Sequence, residues 1–330
     1  MREFGYQRAS DVAGAVALLG ADPDARFLGG GTNLVDLMKT GVERPSRLVD
    51  VRELPLDRIE STQDGGLRIG ATVTNSDLAA HAEVRRRYPA LVQAVLAGAS
   101  GQLRNMATVG GNLLQRTRCG YFGDVTKPCN KRVPGSGCPA IEGDHRNHAI
   151  LGASRHCVAV HPSDMGVALT AFDAVISYET TEGSGELPLC DFYLPVGDTP
   201  HLETALPPGA LITGVTLPSA PVAARSRYRK VRERASYAFA IGSIAAALDV
   251  RDGVVSDVRL AFGAVASRPW RARAAERALT GARADGESFA AAADAELAAA
   301  EPLIHNGYKV TLMRNLVVAV LSELLEEASR

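Results

Sequence analysis

The chain has 330 residues, a formal net charge of −1 and 46% apolar residues, so it is long enough for two or three domains and apolar enough to bury a sizeable core. The near-zero charge provides no electrostatic footprint for nucleic acid or an anionic membrane, and no apolar run reaches the length of a membrane span. Five cysteines, sparse and odd in number, do not make a secreted disulfide scaffold.

The opening stretch MREFGYQRASD has no apolar h-region, so the expectation is a chain without a signal peptide of its own that folds in the cytoplasm. SDVAGAVALLGAD reads as a short amphipathic helix with Ser10 as its N-cap. ARFLGG and RLVDV read as strands, so residues 1–55 form a small α/β unit. GLRIGATVT is a further strand, and NSDLAAHAEVRRRYPALVQAVLAGA is two helices broken near Pro89. NMATVGGNLL is a glycine-centred loop, and behind it lies a segment rich in Gly, Pro, Lys and Arg that holds four of the five cysteines. Regular structure resumes in CVAVHPSDMGVALTAFDAVISYE, read as strand, capped helix, strand. LPSAPVAARS marks a domain boundary, and beyond it SRYRKVRER, FAIGSIAAALDV and VVSDVRLAFGAV form a strand meander followed by three helices. Strands followed by helices indicate a compact α+β domain.

Two glycine loops carry the first chemical signal. Gly29, Gly30 and Gly31 follow a strand and precede TNLVDLMK, which begins like a helix. Such a turn leaves backbone N–H groups uncovered, and at a helix start they make a nest for a phosphate. The spacing is neither GxGxxG nor GxxxxGK[ST], which excludes a Rossmann or Walker loop; a plain strand-to-helix turn remains the alternative. ATVGGN supplies a second loop of small residues, a hydroxyl and an amide, so two loops could wrap one elongated phosphorylated cofactor.

Cys119, Cys129, Cys138 and Cys157 are the second signal. Nine, eight and eighteen residues separate them, with no CxxC pair, which fits no ferredoxin or zinc-finger spacing. Their segment has few large apolar side chains, so a metal centre would supply the order that packing does not. Zinc, a 4Fe-4S cluster, disulfides and free thiols all stay open on the residues alone. Arg116, Arg118, Lys127, Lys131 and Arg132 are placed to offset the charge of a thiolate cluster. His145, His148, His156 and His161 crowd the same region and are expected to hydrogen-bond or pack, while Cys190 reads as a buried or incidental thiol.

GGGTNL, ATVGGNL and HPSD, in this order and spacing, resemble the FAD-binding subunit of the molybdenum hydroxylases, the xanthine dehydrogenase family. The resemblance covers nearly the whole chain. It implies an α+β fold: a vanillyl-alcohol-oxidase (PCMH) type FAD-binding domain of two α/β subdomains, residues 1–55 and 56–220, then a C-terminal α+β domain, residues 221–330, with a three-stranded antiparallel sheet and helices. It also implies FAD contacts at Phe27, Leu28, Gly29, Gly30, Gly31, Thr32, Asn33 and Leu34, at Ala107, Thr108, Gly110, Gly111 and Asn112, and at Asp164 and Lys230, with Thr72 as a further candidate. Asp164 with Ser163 could instead cap the following helix, and Lys230 could belong to a solvated basic face.

Most flavin subunits of this kind run directly from the GGN loop to the helix opened by HPSD. Here roughly forty residues intervene, about 114–160, and long loops of this kind are usually functional. LLQRTRCGYF, KPCNKR, PGSGC and the cysteine before HPSD resemble the flavin subunit of bacterial periplasmic aromatic-aldehyde oxidoreductases, which implies a 4Fe-4S cluster on the four cysteines. The resemblance further implies an electron-transfer subunit of a heterotrimer. A molybdenum-cofactor large subunit oxidises the aldehyde, a small subunit with two 2Fe-2S clusters relays electrons, and FAD passes them to an external acceptor. Relatives travel folded to the periplasm on a partner's twin-arginine signal, so both compartments stay open. Competing readings are a stand-alone flavin oxidase of the same fold and a zinc-stabilised interaction module.

Overall fold

The computed structural model describes residues 1–328. Three sheets organise it. The first is parallel: β1 (Gly5–Arg8), β2 (Arg26–Leu28) and β3 (Arg47–Asp50) in the order β1-β3-β2. Strand β1 has no apolar alternation because all four of its residues are exposed on the sheet edge, which hides it from a pattern reading. The helix Val12–Gly20 packs on this sheet. Its cap is Asp11, whose carboxylate accepts from Gly14 N at 2.7 Å, and not the expected Ser10, whose hydroxyl donates to Asp11 instead.

The second sheet is antiparallel: β4 (Ile59–Ser61), β5 (Leu67–Gly70), β6 (Val175–Thr180), β7 (Gly183–Pro188) and β8 (Leu211–Leu217), in the order β4-β5-β8-β6-β7. The expected pair of helices over residues 75–99 is three, Asn75–Ala80, Ala82–Arg87 and Pro89–Ala97, and a further turn, Gly101–Arg104, precedes the second glycine loop. His81 takes an extended conformation between the first two. Tyr88 leaves the helical region before Pro89, whose ring clashes with a helical predecessor. No strand forms at 157–160. The apolar triplet there is buried, but its backbone bonds run to single neighbours, such as Ala149 N to Val158 O at 2.9 Å, and not to a ladder.

The third sheet is antiparallel, with β9 (Ser226–Val231), β10 (Gly242–Arg251), β11 (Val254–Gly263) and β12 (Trp270–Arg271) in the order β12-β11-β10-β9. The two-residue β12 makes it four-stranded where three strands were expected. Residues 244–248 of β10 are all apolar because both faces of the strand are buried there. Ile244, Ala246 and Leu248 face the C-terminal helices Arg273–Leu279, Gly286–Leu297 and Tyr308–Ala328, while Ala245 and Ala247 join the core of the second sheet. Small alanines on that side let the middle helices approach the sheet closely, which brings β9 beside the groove described below. Among the described residues no helix is long and apolar enough to cross a membrane.

Asp50, 1% exposed at the end of β3, ties the first sheet together by accepting from Tyr6 Oη at 2.6 Å and Arg52 Nη2 at 2.6 Å. Burial pushes its pKa up, but the hydrogen bonds from Arg52 and Tyr6 outweigh this and hold it at about 2. The folded-state value lies below the unfolded one, so this stabilisation is complete above about pH 4 and is lost as pH falls through about 2. Replacing Asp50 with Asn is expected to cost about 2 kcal/mol at neutral pH, the scale of a charged hydrogen bond. Denaturation midpoints of the two proteins should converge toward pH 2; a constant gap down to that pH would contradict the assignment.

Candidate functional site

The two glycine loops meet backbone to backbone. A Cβ on Gly30 would lie 1.7 Å from the carbonyl oxygen of Met106, and one on Gly29 would lie 2.8 Å from Thr108 Oγ1. Gly31 adds a left-handed turn, φ +72°, before the helix Leu34–Thr40. The second stretch is not an open loop as expected but a helical turn, Val109–Leu113, capped by Thr108, which accepts from Gly111 N. Its start is pinned to the turn that follows β5 through Val109 N to Val73 O at 3.0 Å and Gly110 N to Ala71 O at 2.9 Å.

A groove runs along this seam as two adjoining cavities of about 300 and 240 Å³ that share Thr32, Asn33 and Gly111. Phe27, Gly29, Gly30, Gly31, Leu34, Thr72, Thr108 and Gly110 line the first, while Ala107, Asn112, Asp164 and Lys230 line the second. Among the predicted FAD contacts only Leu28 lines neither cavity. Thr72 Oγ1 and Asn75 Oδ1, on residues of the groove wall, are buried without a hydrogen-bond partner. Uncovered glycine backbone, small side chains and orphaned polar atoms along an elongated groove fit a dinucleotide such as FAD.

Asp164 does not cap its helix. Ser163 does, accepting from Gly166 N at 2.8 Å while donating to Asn112 Oδ1 at 2.6 Å, which links the second glycine loop to the helix Asp164–Ala171. Asp164 instead accepts from Lys230 Nζ at 2.7 Å and Tyr228 Oη at 2.5 Å. Lys230 is 4% exposed in its side chain, so it is not part of a solvated basic face. Burial and the Asp164 carboxylate push the Tyr228 phenol well above its ordinary range. The pair ties β9 to the groove wall. Tyr228 and Asn75 were missed by the sequence reading, since a strand tyrosine and a helix-start asparagine carry no motif.

The cysteine segment is laced to its surroundings. Cys119, Cys129, Cys138 and Cys157 all line one narrow cavity with Phe122 and Asn130. Among the described residues no three His, Cys, Asp or Glu converge tightly enough to hold one metal ion, so the thiols share a cavity wall and not a single point. Cys157 is buried and the other three are partly so. The hydrogen bond between Cys138 and Cys157 pulls the Cys138 thiol below its ordinary value and, with burial, pushes the Cys157 thiol up. Burial also raises Cys119.

Most of the segment's cations have other work than offsetting thiolate charge. Lys131 Nζ meets Glu203 at 2.7 Å, and Arg116 pairs with Glu43 at 2.7 Å and with Glu203. Burial raises the Glu203 carboxyl, but Arg116 and Lys131 outweigh it and hold it below its usual value. Arg132 donates to the carbonyls of Tyr121, Phe122 and Lys127, closing the loop between the first two cysteines. Arg118 lies over the Phe239 ring, 4.9 Å from its centroid. His145 is buried, its Nδ1 3.1 Å from Ala140 O and its Nε2 accepting from His305 N. His161 packs on Tyr193 and is held neutral by burial, its pKa about 3. His148 Nε2 lies 3.2 Å from Cys119 Sγ. Cys190 is exposed on the helix Leu189–Phe192 and outside the shared cavity, which corrects the buried one of its two readings and leaves the incidental one.

Comparison with known proteins agrees with this geometry. Residues 2–220 match the family model of the FAD binding domain in molybdopterin dehydrogenase, and residues 226–324 match the CO dehydrogenase flavoprotein C-terminal domain. The chain is 51% identical over 329 residues to the aldehyde oxidoreductase FAD-binding subunit PaoB of Escherichia coli K12, covering 99% of this chain and 100% of that one. A solved chain of quinoline 2-oxidoreductase from Pseudomonas putida 86 superposes with a TM-score of 0.77 at 23% identity, covering 100% and 99% of the two chains. A carbon monoxide dehydrogenase chain from Hydrogenophaga pseudoflava superposes with a TM-score of 0.75 at 27% identity, covering 97% and 96%.

Any side chain at position 30 must push the two loops apart, because the obstacle is backbone. Gly30→Ala is expected to fold but to retain less than about a tenth of the flavin, a loss of more than 1.4 kcal/mol in binding. The flavin-to-protein absorbance ratio after gel filtration checks this. Near-stoichiometric flavin in the variant would show that the loop contact does not shape the site.

Proposed function

Since this chain belongs to the FAD-binding subunits of the molybdopterin dehydrogenases, we propose that it is the flavin subunit of a molybdenum-dependent aldehyde oxidoreductase and also carries a 4Fe-4S cluster on Cys119, Cys129, Cys138 and Cys157. The observation that carries the flavin assignment is the backbone contact of the two glycine loops along a groove with orphaned polar atoms. Similarity to an aldehyde oxidoreductase flavin subunit over the full chain supports the aldehyde.

FAD, when bound, stores two electrons and accepts or releases them singly. The chain's own residues do the holding. The N–H groups of Gly29–Gly31 would cradle the pyrophosphate, the second loop, whose Val109, Gly110 and Gly111 N–H groups are bonded within the chain, would let it approach closely over small residues, and Thr72 and Asn75 would supply further polar contacts. Asp164, fixed by Lys230 and Tyr228, closes the far end of the groove. Aldehyde chemistry belongs to a molybdenum-cofactor large subunit, and a 2Fe-2S small subunit delivers electrons, giving a heterotrimer that serves an external acceptor. The domain division at residues 55 and 220, with the insert at about 114–160, follows the same reading.

Four thiols lining one cavity match the four thiolates that a 4Fe-4S cluster takes, one per iron. Asn130 stiffens the segment for this role by donating to His156 O at 2.8 Å and accepting from Gly137 N at 2.8 Å.

Two outcomes are expected of the complex co-expressed with its partner subunits and purified without oxygen. Acid precipitation releases a flavin identified as FAD by mass spectrometry; protein-bound flavin left in the pellet would point to a covalent oxidase instead. Single Cys→Ser changes at 119, 129, 138 or 157 lower iron and acid-labile sulfide by about four of each per chain, one cluster's content, while Cys190→Ser does not. Unchanged iron in all four variants, or one zinc per chain, would overturn the cluster assignment.

A further inference from the structure

We propose that His148 sets the reduction potential of the iron–sulfur cluster by donating a hydrogen bond from Nε2 to Sγ of Cys119; this rests on the reading of the four cysteines as cluster ligands. The two atoms are 3.2 Å apart. A thiolate bound to iron carries no proton, so in the loaded protein the imidazole must be the donor. A neutral imidazole has one N–H, and protonating Nε2 leaves Nδ1 as a bare acceptor. Among the described residues Nδ1 of His148 is buried with no hydrogen-bond partner, and Cys119 is the one hydrogen-bond partner of the ring.

The ring is held there by the C-terminal domain. Asn306 Nδ2 donates to the carbonyls of His148 at 3.3 Å and Ala149 at 3.0 Å, and Lys309 Nζ donates to Asn147 O at 2.9 Å. Asn306 and Lys309 are both fully buried, so the loop carrying His148 cannot drift. Cys119 also occupies a distinct place. Alone of the four thiols it lines a second, wide cavity of about 540 Å³, whose wall includes Arg118, Ala238 and Phe239, and these three residues also line the flavin groove. The hydrogen bond therefore acts on the thiol whose cavity adjoins the flavin groove. Reduction adds negative charge to the cluster, and a donor to one of its sulfurs stabilises the reduced form and raises the potential.

The test is a redox titration of the purified complex, followed by electron paramagnetic resonance, on the unaltered protein, His148→Leu and His148→Gln, with iron and acid-labile sulfide assayed in each. His148→Leu should lower the cluster midpoint by about 59 mV, a tenfold change in the ratio of reduced to oxidised cluster. His148→Gln keeps an amide donor and should fall closer to the unaltered value. An unchanged midpoint in a fully loaded His148→Leu complex overturns the proposal. If that variant loses its cluster, the unaltered complex decides. With histidine labelled with nitrogen-15, a weak nitrogen coupling to the reduced cluster that is lost in His148→Gln supports the hydrogen bond, and no histidine coupling overturns it. Absence of iron and sulfide from the unaltered complex defeats the cluster reading itself, a result the assay separates from a wrong role for His148.

Discussion

The contact between Gly30 and the Met106 carbonyl is the constraint on which the site depends. Two segments roughly seventy-five residues apart in sequence approach so closely that position 30 tolerates no Cβ at the contact. With the backbones touching, the glycine N–H groups of the first turn are left for a ligand along the seam, while those of Val109, Gly110 and Gly111 hold the second turn in place, and the groove runs along the seam between them. Anion binding at helix starts needs this uncovered backbone more than it needs particular side chains, which is why the loops are built from Gly, Thr and Asn.

The rest of the molecule holds the groove and the cysteine segment in place. The Asp164–Lys230 pair with Tyr228 fastens the third sheet to the groove wall. A buried ion pair adds little net stability, but losing one partner strands a charge at a cost of about 3–5 kcal/mol, so the pair fixes which geometry is allowed. The cysteine segment lacks a large core of its own and is lashed down by polar bonds: Glu203 to Arg116 and Lys131, Arg132 to three carbonyls, and Asn306 and Lys309 to the loop 147–149. Such a frame orders the backbone and leaves the four thiols facing a common cavity.

Much of this was legible in the sequence, for identifiable reasons. The strand–turn–helix around Gly29–Gly31, the meander β9–β11 and the three final helices follow from turn residues and apolar patterning, which are local signals. What escaped notice depended on tertiary contacts. Strand β1 exists because β3 pairs with it, and its own four exposed residues do not announce it. The 157–160 segment has strand composition but no neighbour to ladder with. At the site, the glycine loops and the cysteines carried motifs, whereas Tyr228, Asn75 and His148 matter through partners 64, 32 and 29 residues away or through burial alone, which no spacing rule reports. Lys230 looked like one of several basic residues on a strand, and only the fold shows that it is the buried one.

The most direct measurement of the central claim is hydrogen–deuterium exchange of the complex with and without FAD. If one interlocked seam forms the binding site, the peptides covering residues 27–34 and 107–112 should gain protection together on adding FAD, along with the peptide containing Asp164. Protection confined to one of the two glycine loops would contradict the account.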